Sequence, residues 1–372
     1  MSLLSSQATS MTEYNLKAFE KKSTVTKFKI GKDYISKIIL KGYIYKISPK
    51  LRKKKSKLSY HHRNHKDCIF ITTRYRTGSS YFYSLFSCLK DTIVFYEPLH
   101  PDLITTLDQN EECHRRNKEK LSHTFQGKYF EEYDQLDKKC LELLHRKDFI
   151  DQNLILSKTD TYEEEKEYIL FLLNSKIDKF KVLQFNRIDF QLEWFKNNFP
   201  NALIVNLKRN PRDIYISHFK TYLREQNLQL DKLENIKIES TNISCLFYVD
   251  DYIRLIGDYL HPNFCFPELN DYEKIYLLNS LSNLYADKFA DVIIEYEKLV
   301  EEPKKIIEMI ASQVKNLEPT FVEDIVIPKK DRIDTWKEYH DESWYSQCES
   351  RCEDIIEEIT KHLNIPLKLR QK

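Results

Sequence analysis

The stretch "CIFITTRYRTGSSYFYSLF", residues 68–86, joins a short apolar run to a tight polar turn and then to a second apolar run. Its first part reads as a buried strand over 68–72 and its last part as the start of a helix over 79–89. Between them, Gly78 lets backbone approach an anion closely, Ser79 and Ser80 add hydroxyl donors, and Arg76 adds a planar positive fork. A strand that turns straight into a helix also presents unpaired N–H groups and the positive end of the helix dipole, the elements of a phosphate site. Taken alone, the stretch reads equally well as a plain Gly-Ser turn. The nucleotide-hydrolase pattern GxxxxGK[ST] is absent, because Ser-Ser rather than Lys-Ser or Lys-Thr follows Gly78. A Mg-nucleotide hydrolase is therefore disfavoured.

Outward from this loop, a chain of 372 residues with 41% apolar and 13% aromatic content fits one large globular α/β domain or two smaller ones, not a disordered protein. The net charge of +2 hides a local imbalance. From Lys41 to Lys66 the chain carries ten Lys or Arg and no acidic residue, including "KLRKKKSK" and "HHRNHK". This basic N-terminal extension, 1–66, is expected to be a solvated tail, with contact to an anionic glycan, nucleic acid or membrane surface as the functional reading. No apolar run approaches the roughly 20 residues needed to span a bilayer. The start "MSLLSSQATSM" lacks the pattern of a secretory signal, so a cytoplasmic protein, at most peripheral to a membrane, is expected. Eight cysteines are scattered without framework spacing; "CESRC" puts Cys348 and Cys352 one helical turn apart, but no second Cys/His pair accompanies them, and no metal is expected. Asn242 of "TNIS" matches a glycosylation acceptor, a weak pattern without secretion.

Beyond residue 66, short apolar runs alternate with helical patterns. Strands are expected in "CIFIT" (68–72), "TIVFY" (92–96), "NLILS" (153–157), "KVLQF" (181–185), "ALIVNLK" (202–208) and "DVIIEY" (291–296). Helices are expected over 79–89, 189–198, 212–225, 272–289, 303–311 and 344–363. The alternation predicts a mostly parallel central sheet flanked by helices, a three-layer α/β fold of P-loop type over 67–372. The polar segment 102–151 reads as an insertion on the acceptor side of that sheet.

A second constellation lies in "ALIVNLKRNPRDIYISHF", residues 202–219. A strand delivers Lys208 and Arg209 into the Asn210-Pro211 turn, and the next helix brings Ser217 eight residues after Arg209. An arginine at a strand end and a hydroxyl on the following helix can converge on one anion. A surface arginine beside a capping network is the equally weighted alternative.

Taken together, "YRTGSS", "FYEPL", "VNLKRNPRDIYISHF", "IIEYEKLVEEP" and the late "DTWKEY" resemble, in order, the sulfotransferases that use 3′-phosphoadenosine 5′-phosphosulfate (PAPS), nearest to carbohydrate and tyrosylprotein members. The resemblance spans about residues 67 to 363. It implies that Arg76, Thr77, Gly78, Ser79 and Ser80 hold the 5′-phosphosulfate, with Arg76 stabilising the leaving phosphate, and that Arg209 and Ser217 grip the 3′-phosphate. Lys329, Lys330 and Arg332 would cover the 3′-phosphate as a late loop does in relatives. It makes Glu297 structural, and Trp336 is read as a packing residue.

Sulfuryl transfer needs an acceptor oxygen in line with the sulfur and the leaving oxygen, and a base for its proton, but no metal. Glu97 of "VFYEPLHP" is the expected base, since it ends a strand where a parallel sheet opens its ligand crevice. His100 is the second candidate, and a turn-capping role is the bland reading of Glu97. Cytosolic small-alcohol relatives use a loop lysine and a histidine base, so arginine and glutamate here point away from steroids and phenols. A carbohydrate or glycoconjugate hydroxyl is the expected acceptor and a tyrosine-containing peptide the rival. A P-loop kinase or hydrolase and a catalytically silent glycan-binding protein are the competing classes; no nucleic-acid partner is expected.

Overall fold

The computed structural model of the chain describes residues 66–108, 130–149, 154–175, 178–225, 249, 253, 267–322 and 333–363. Five parallel strands are present among them: β1 (Cys68–Thr73), β2 (Thr92–Tyr96), β3 (Phe180–Phe185), β4 (Ala202–Lys208) and β5 (Val292–Glu295), in the sheet order β2-β3-β1-β4-β5. All four pairings are parallel, with Thr72 opposite Phe185, Thr73 opposite Leu207 and Tyr96 opposite Gln184. β1 and β3 are buried along their whole length, because a parallel sheet is covered on both faces; the apolar run of β1 reflects this, while β3 buries Lys181 and Gln184 among its apolar residues. β5, at the edge, alternates, with Ile293 exposed between buried Val292 and Ile294.

The helices flank this sheet. In chain order they are α1 (Ser79–Ser87), α2 (Leu103–Asp108), α3 (Lys138–Leu144), α4 (Glu163–Asn174), α5 (Leu192–Asn198), α6 (Pro211–Glu225), α7 (Asp271–Phe289), α8 (Tyr296–Glu301), α9 (Pro303–Ala311) and α10 (Glu342–Leu363). Two starts are legible in local chemistry. Asn270 caps α7 by a reciprocal bond with Glu273, and Pro303 opens α9 where a missing N–H costs nothing. The core is aromatic between sheet and helices, with Phe70 edge-on to Phe185, Phe195 and Phe199 at 5.4–5.8 Å.

The expected strand at 153–157 does not form; its described residues 154–157 are irregular. Leu154 and Leu156 are buried, but the Leu156 amide bonds Phe190 O at 3.3 Å, in the 3₁₀ turn Asp189–Gln191. Three apolar residues anchored on a turn satisfy burial and backbone without a ladder, which periodicity cannot distinguish from a strand. The described parts of 102–151 are also less peripheral than expected. Phe130, Tyr133, Leu141 and Phe149 enter the core, the Glu132 carboxylate accepts from Tyr96 N at 2.7 Å, and Tyr133 Oη donates to Tyr96 O at 3.1 Å. A side chain and a phenol thus close the outer edge of β2. Among the described residues no helix is long and apolar enough to cross a membrane. The basic stretch from Lys41 to Asn64, Asn242, and Lys329, Lys330 and Arg332 lie outside the described residues.

Candidate active site

The residues that follow the five strands face one crevice side of the sheet: the loop from Arg74 after β1, Glu97 after β2, Asn186 and Arg187 after β3, Arg209 after β4 and Tyr296 after β5. The carboxyl ends of parallel strands are where an α/β sheet binds ligands.

The loop after β1 is built from within. Arg74 is buried and paired with Asp189 at 2.6 Å, its guanidinium 5.3 Å over the Phe190 ring. Its carbonyl accepts from both Thr77 N at 3.3 Å and Thr77 Oγ1 at 2.6 Å, closing a tight turn. Thr77 is therefore a structural hinge of the loop. Arg76 and Gly78 flank it with φ of +67° and +103°, left-handed conformations that strain any residue but glycine. Gly78 has a second reason to be glycine: a Cβ there would lie 2.3 Å from the Tyr296 ring. α1 starts directly after Gly78 with no side chain capping it, so its first N–H groups face the crevice end of the loop.

Ser80 Oγ and Tyr96 Oη share a hydrogen bond of 3.0 Å. Burial, and then the neighbouring Glu97 carboxylate, push the Tyr96 phenol well above its ordinary range, so it stays protonated. Glu97 lies directly beyond, with φ of +42°. Its amide still donates to Gln184 O at 2.8 Å, extending the β2–β3 ladder while its side chain turns off the sheet. The carboxylate is 7% exposed and Oε1 accepts from Asn186 Nδ2. Asn186 is itself fixed, its Oδ1 accepting from Thr73 Oγ1 and Gln184 Nε2, each at 2.8 Å. The other carboxylate oxygen, Oε2, is 4.0 Å from His100 Nε2.

His100 lies beside Glu97. Its Nδ1 accepts from Asp102 N at 3.1 Å, so in the neutral ring the proton sits on Nε2, toward the carboxylate. Burial lowers its pKa and the Arg187 charge adds to this, against the opposing pull of Glu97.

Arg187 was not legible as a site residue. It is 3% exposed, lies with its guanidinium 5.4 Å over the Tyr75 ring of the loop after β1, and lines a small cleft with Glu97, Leu99, His100 and Asn186. The signal was available in "KVLQFNR": a cation two residues beyond a strand run, much as Arg209 stands one residue beyond "ALIVNLK".

On the other side of β1, Arg209 Nη1 donates to Arg76 O at 2.8 Å, and its guanidinium stacks 4.6 Å over the Tyr296 ring. The side chain of Arg76 crosses to α6, where Nε donates to Ser217 Oγ at 3.1 Å and Nη2 to Ser217 O at 3.3 Å and to Thr221 Oγ1. Arg76 thus bonds both Ser217 and Arg209. The guanidinium of Arg76, however, docks on α6 rather than on Ser79 and Ser80. Lys208 turns away to Asp287 at 2.5 Å. Glu297 Oε1 accepts from Asn210 N at 3.3 Å, holding the turn before α6. The buried Asp213 carboxylate accepts from Asp334 N, Thr335 Oγ1 and Trp336 N at 3.0, 2.9 and 3.3 Å, pinning "DTW" against α6. Trp336, 7% exposed, packs edge-on against Tyr345 and under Arg212. Cys348 and Cys352 are buried thiols, and among the described residues no group of three or more His, Cys, Asp or Glu is placed to hold a metal.

At the strand ends of this parallel sheet the unpaired N–H groups opening α1 lie near Arg76 and Arg209, an arrangement suited to binding anions. The sequence model of the sulfotransferase family matches residues 68–315, the greater part of the chain, and the protein belongs to that family. The sequence has no significant match among curated proteins. Among solved structures it is similar to a sulfotransferase from Alicyclobacillus acidocaldarius, with 14% identity, 80% of this chain and 96% of that chain covered, and a TM-score of 0.37. It is similar also to sulfotransferase STF1 from Mycobacterium tuberculosis, at 16% identity, 68% and 69% coverage and a TM-score of 0.39. Mouse sulfotransferase SULT7A1 complexed with PAP matches at 13% identity, 83% and 88% coverage and a TM-score of 0.34. The family assignment rests on the sequence-family match.

Proposed function

We propose that the protein transfers the sulfuryl group of PAPS to a hydroxyl of a carbohydrate acceptor, with Glu97 as the base. The observation that carries this is the placement of one buried carboxylate, held by Asn186, directly beyond the Tyr96–Ser80 bond that leads to the phosphate loop. The donor supplies the sulfuryl group and leaves as 3′-phosphoadenosine 5′-phosphate (PAP). The N–H groups opening α1, with Ser79 and Ser80, hold the 5′ side, and Arg209 and Ser217 hold the 3′-phosphate. Glu97 takes the acceptor proton through Oε2, the oxygen not engaged by Asn186, and His100, neutral, steadies that oxygen. Arg187 sits beside the same cleft, where a fixed cation stabilises negative charge as it develops.

The acceptor side is read from "VFYEPLHP", which resembles carbohydrate sulfotransferases; the cleft beside Glu97 is only water-sized, lined by His100, Asn186 and Arg187 together with apolar Leu99, Phe185 and Ile188. A tyrosine peptide is the second reading, favoured by the same glutamate. Two measurements test the proposal in sequence. PAP at about one hundred times its Kd is expected to stabilise the fold by roughly 2.7 kcal/mol; no rise in the thermal midpoint overturns the donor assignment. Labelled PAPS offered with glycans and with tyrosine peptides is expected to label glycans, and label only in peptides overturns the acceptor.

A further inference from the structure

β2 ends the sheet, and among the described residues no strand pairs with its outer side. Three side chains take that place. The carbonyls of Tyr96, Pro98 and His100, every second residue around Glu97, accept from Tyr133 Oη at 3.1 Å, Tyr168 Oη at 2.8 Å and His145 Nε2 at 3.0 Å. Glu97 sits inside this row. Its N–H stays in the ladder with Gln184 O, and its own carbonyl accepts from His100 N at 2.9 Å. The turn so closed gives Glu97 its φ of +42°, a left-handed conformation that is disfavoured for a residue with a Cβ and persists only where the surroundings over-determine it. Pro98 has no N–H to offer, so the turn is held through its carbonyls. The hydrogens are placed for this. Burial pushes the Tyr168 phenol well above its ordinary range, so it keeps its hydrogen. Burial holds the His145 ring down to about 4, so at neutral pH it is uncharged, and its one hydrogen lies on Nε2, the atom that faces the His100 carbonyl. The Tyr168 ring is fully buried, stacked on Phe149 at 5.8 Å and edge-on to His145 at 5.4 Å. Packing therefore fixes the ring, and the hydroxyl adds one directed bond.

We infer that Tyr168 and His145 are positioning residues for the base: they hold the carbonyls that follow Glu97, so that its carboxylate leaves the sheet toward Asn186 and His100 before any ligand arrives. This rests on the reading of Glu97 as the base. Its physical content is preorganisation, since a group held by the fold needs no rearrangement at the moment of reaction. α4 and the end of α3, which carry these two donors, then serve the reaction as a frame for the carboxylate.

The test is steady-state turnover of the intact protein, with PAP affinity and the thermal midpoint measured alongside. Tyr168→Phe removes one hydroxyl and keeps the ring. It is expected to lower kcat about tenfold while KM for PAPS and Kd for PAP change less than about twofold, because a displaced base loses rate and not donor binding. His145→Leu is expected to do the same, and His145→Gln, which supplies an N–H donor again, to recover to within about threefold of wild type. In the Glu97→Gln background Tyr168→Phe is expected to change the residual kcat less than about twofold, because the group it positions is gone. A lower midpoint with kcat unchanged, or the same loss of kcat with and without the Glu97 carboxylate, overturns the inference. If Tyr168→Phe does not fold, the two His145 variants carry the test, and equal turnover by Leu and Gln at that position overturns it. If Glu97→Gln alone keeps wild-type turnover, it is the base reading that fails.

Discussion

Replacing Gly78 by alanine probes the contact between the loop after β1 and α8. The added Cβ meets Tyr296 Cε2 and Cδ2 at 2.3 and 2.4 Å, inside any real carbon–carbon contact, and the backbone φ of +103° is unfavourable to alanine. The left-handed backbone costs about 1–2 kcal/mol, and forcing a packed ring aside costs about 1–3 more, so about 2–5 kcal/mol of stability is expected to be lost. The ring has little room to yield, because Tyr296 is buried and carries the Arg209 guanidinium at 4.6 Å. Equilibrium urea unfolding of Gly78→Ala, Tyr296→Ala and the double variant measures the coupling. The steric share is expected to disappear in the double variant, leaving the backbone share and the cost of the lost ring. Gly78→Ala within about 0.5 kcal/mol of wild type, or losses that simply add, would refute the contact between the loop and α8.

Glu97→Gln keeps the Asn186 contact through its amide oxygen and removes the base; turnover is expected to fall by at least a hundredfold while PAP affinity, measured by calorimetry, changes less than twofold. Glu132, buried beside Tyr83, Glu131, Tyr133 and Tyr168, has its carboxyl pushed up from 4.5 to about 8, first by burial. Below pH 4.5 both states hold the proton; between 4.5 and about 8 only the folded state does, so stability falls as pH rises through that window. Glu132→Gln can still accept from Tyr96 N, and it is expected to raise the urea midpoint relative to wild type at pH 8 more than at pH 5. Asp213→Ala strands the three donors at 334–336 and is expected to cost roughly 2–4 kcal/mol; a loss below about 1 kcal/mol would mean that the "DTW" turn is held by other contacts.

Much of the fold is legible because parallel strands buried on both faces are written as apolar runs. β1, β2, β3 and β4 follow "CIFIT", "TIVFY", "KVLQF" and "ALIVNLK" to within a residue. The same rule misleads at "NLILS", where burial without a ladder produces the same letters. Arg209 and Ser217 were legible as a pair, one at a strand end and the other eight residues on along the next helix, and Arg76 as part of the loop after β1. The direction of the Arg76 side chain was not, since it depends on a left-handed φ and on Thr221, a hydroxyl on α6 more than a hundred residues away. Arg187 was hidden by its partners: an arginine after a strand reads as surface charge until the Tyr75 ring and Glu97 are seen beside it. The anchors in 130–149 were masked by polar neighbours, because four buried side chains hold that segment and composition averages them away.

The most direct measurement is transfer of label from PAPS to a glycan by wild type and by Glu97→Gln, under conditions where both bind PAP equally. Label in the glycan with wild type, and at least a hundredfold less with Glu97→Gln, is the result expected. Equal transfer by the two proteins, or none by wild type to any glycan while PAP is bound, would contradict a carbohydrate sulfotransferase that uses Glu97 as its base.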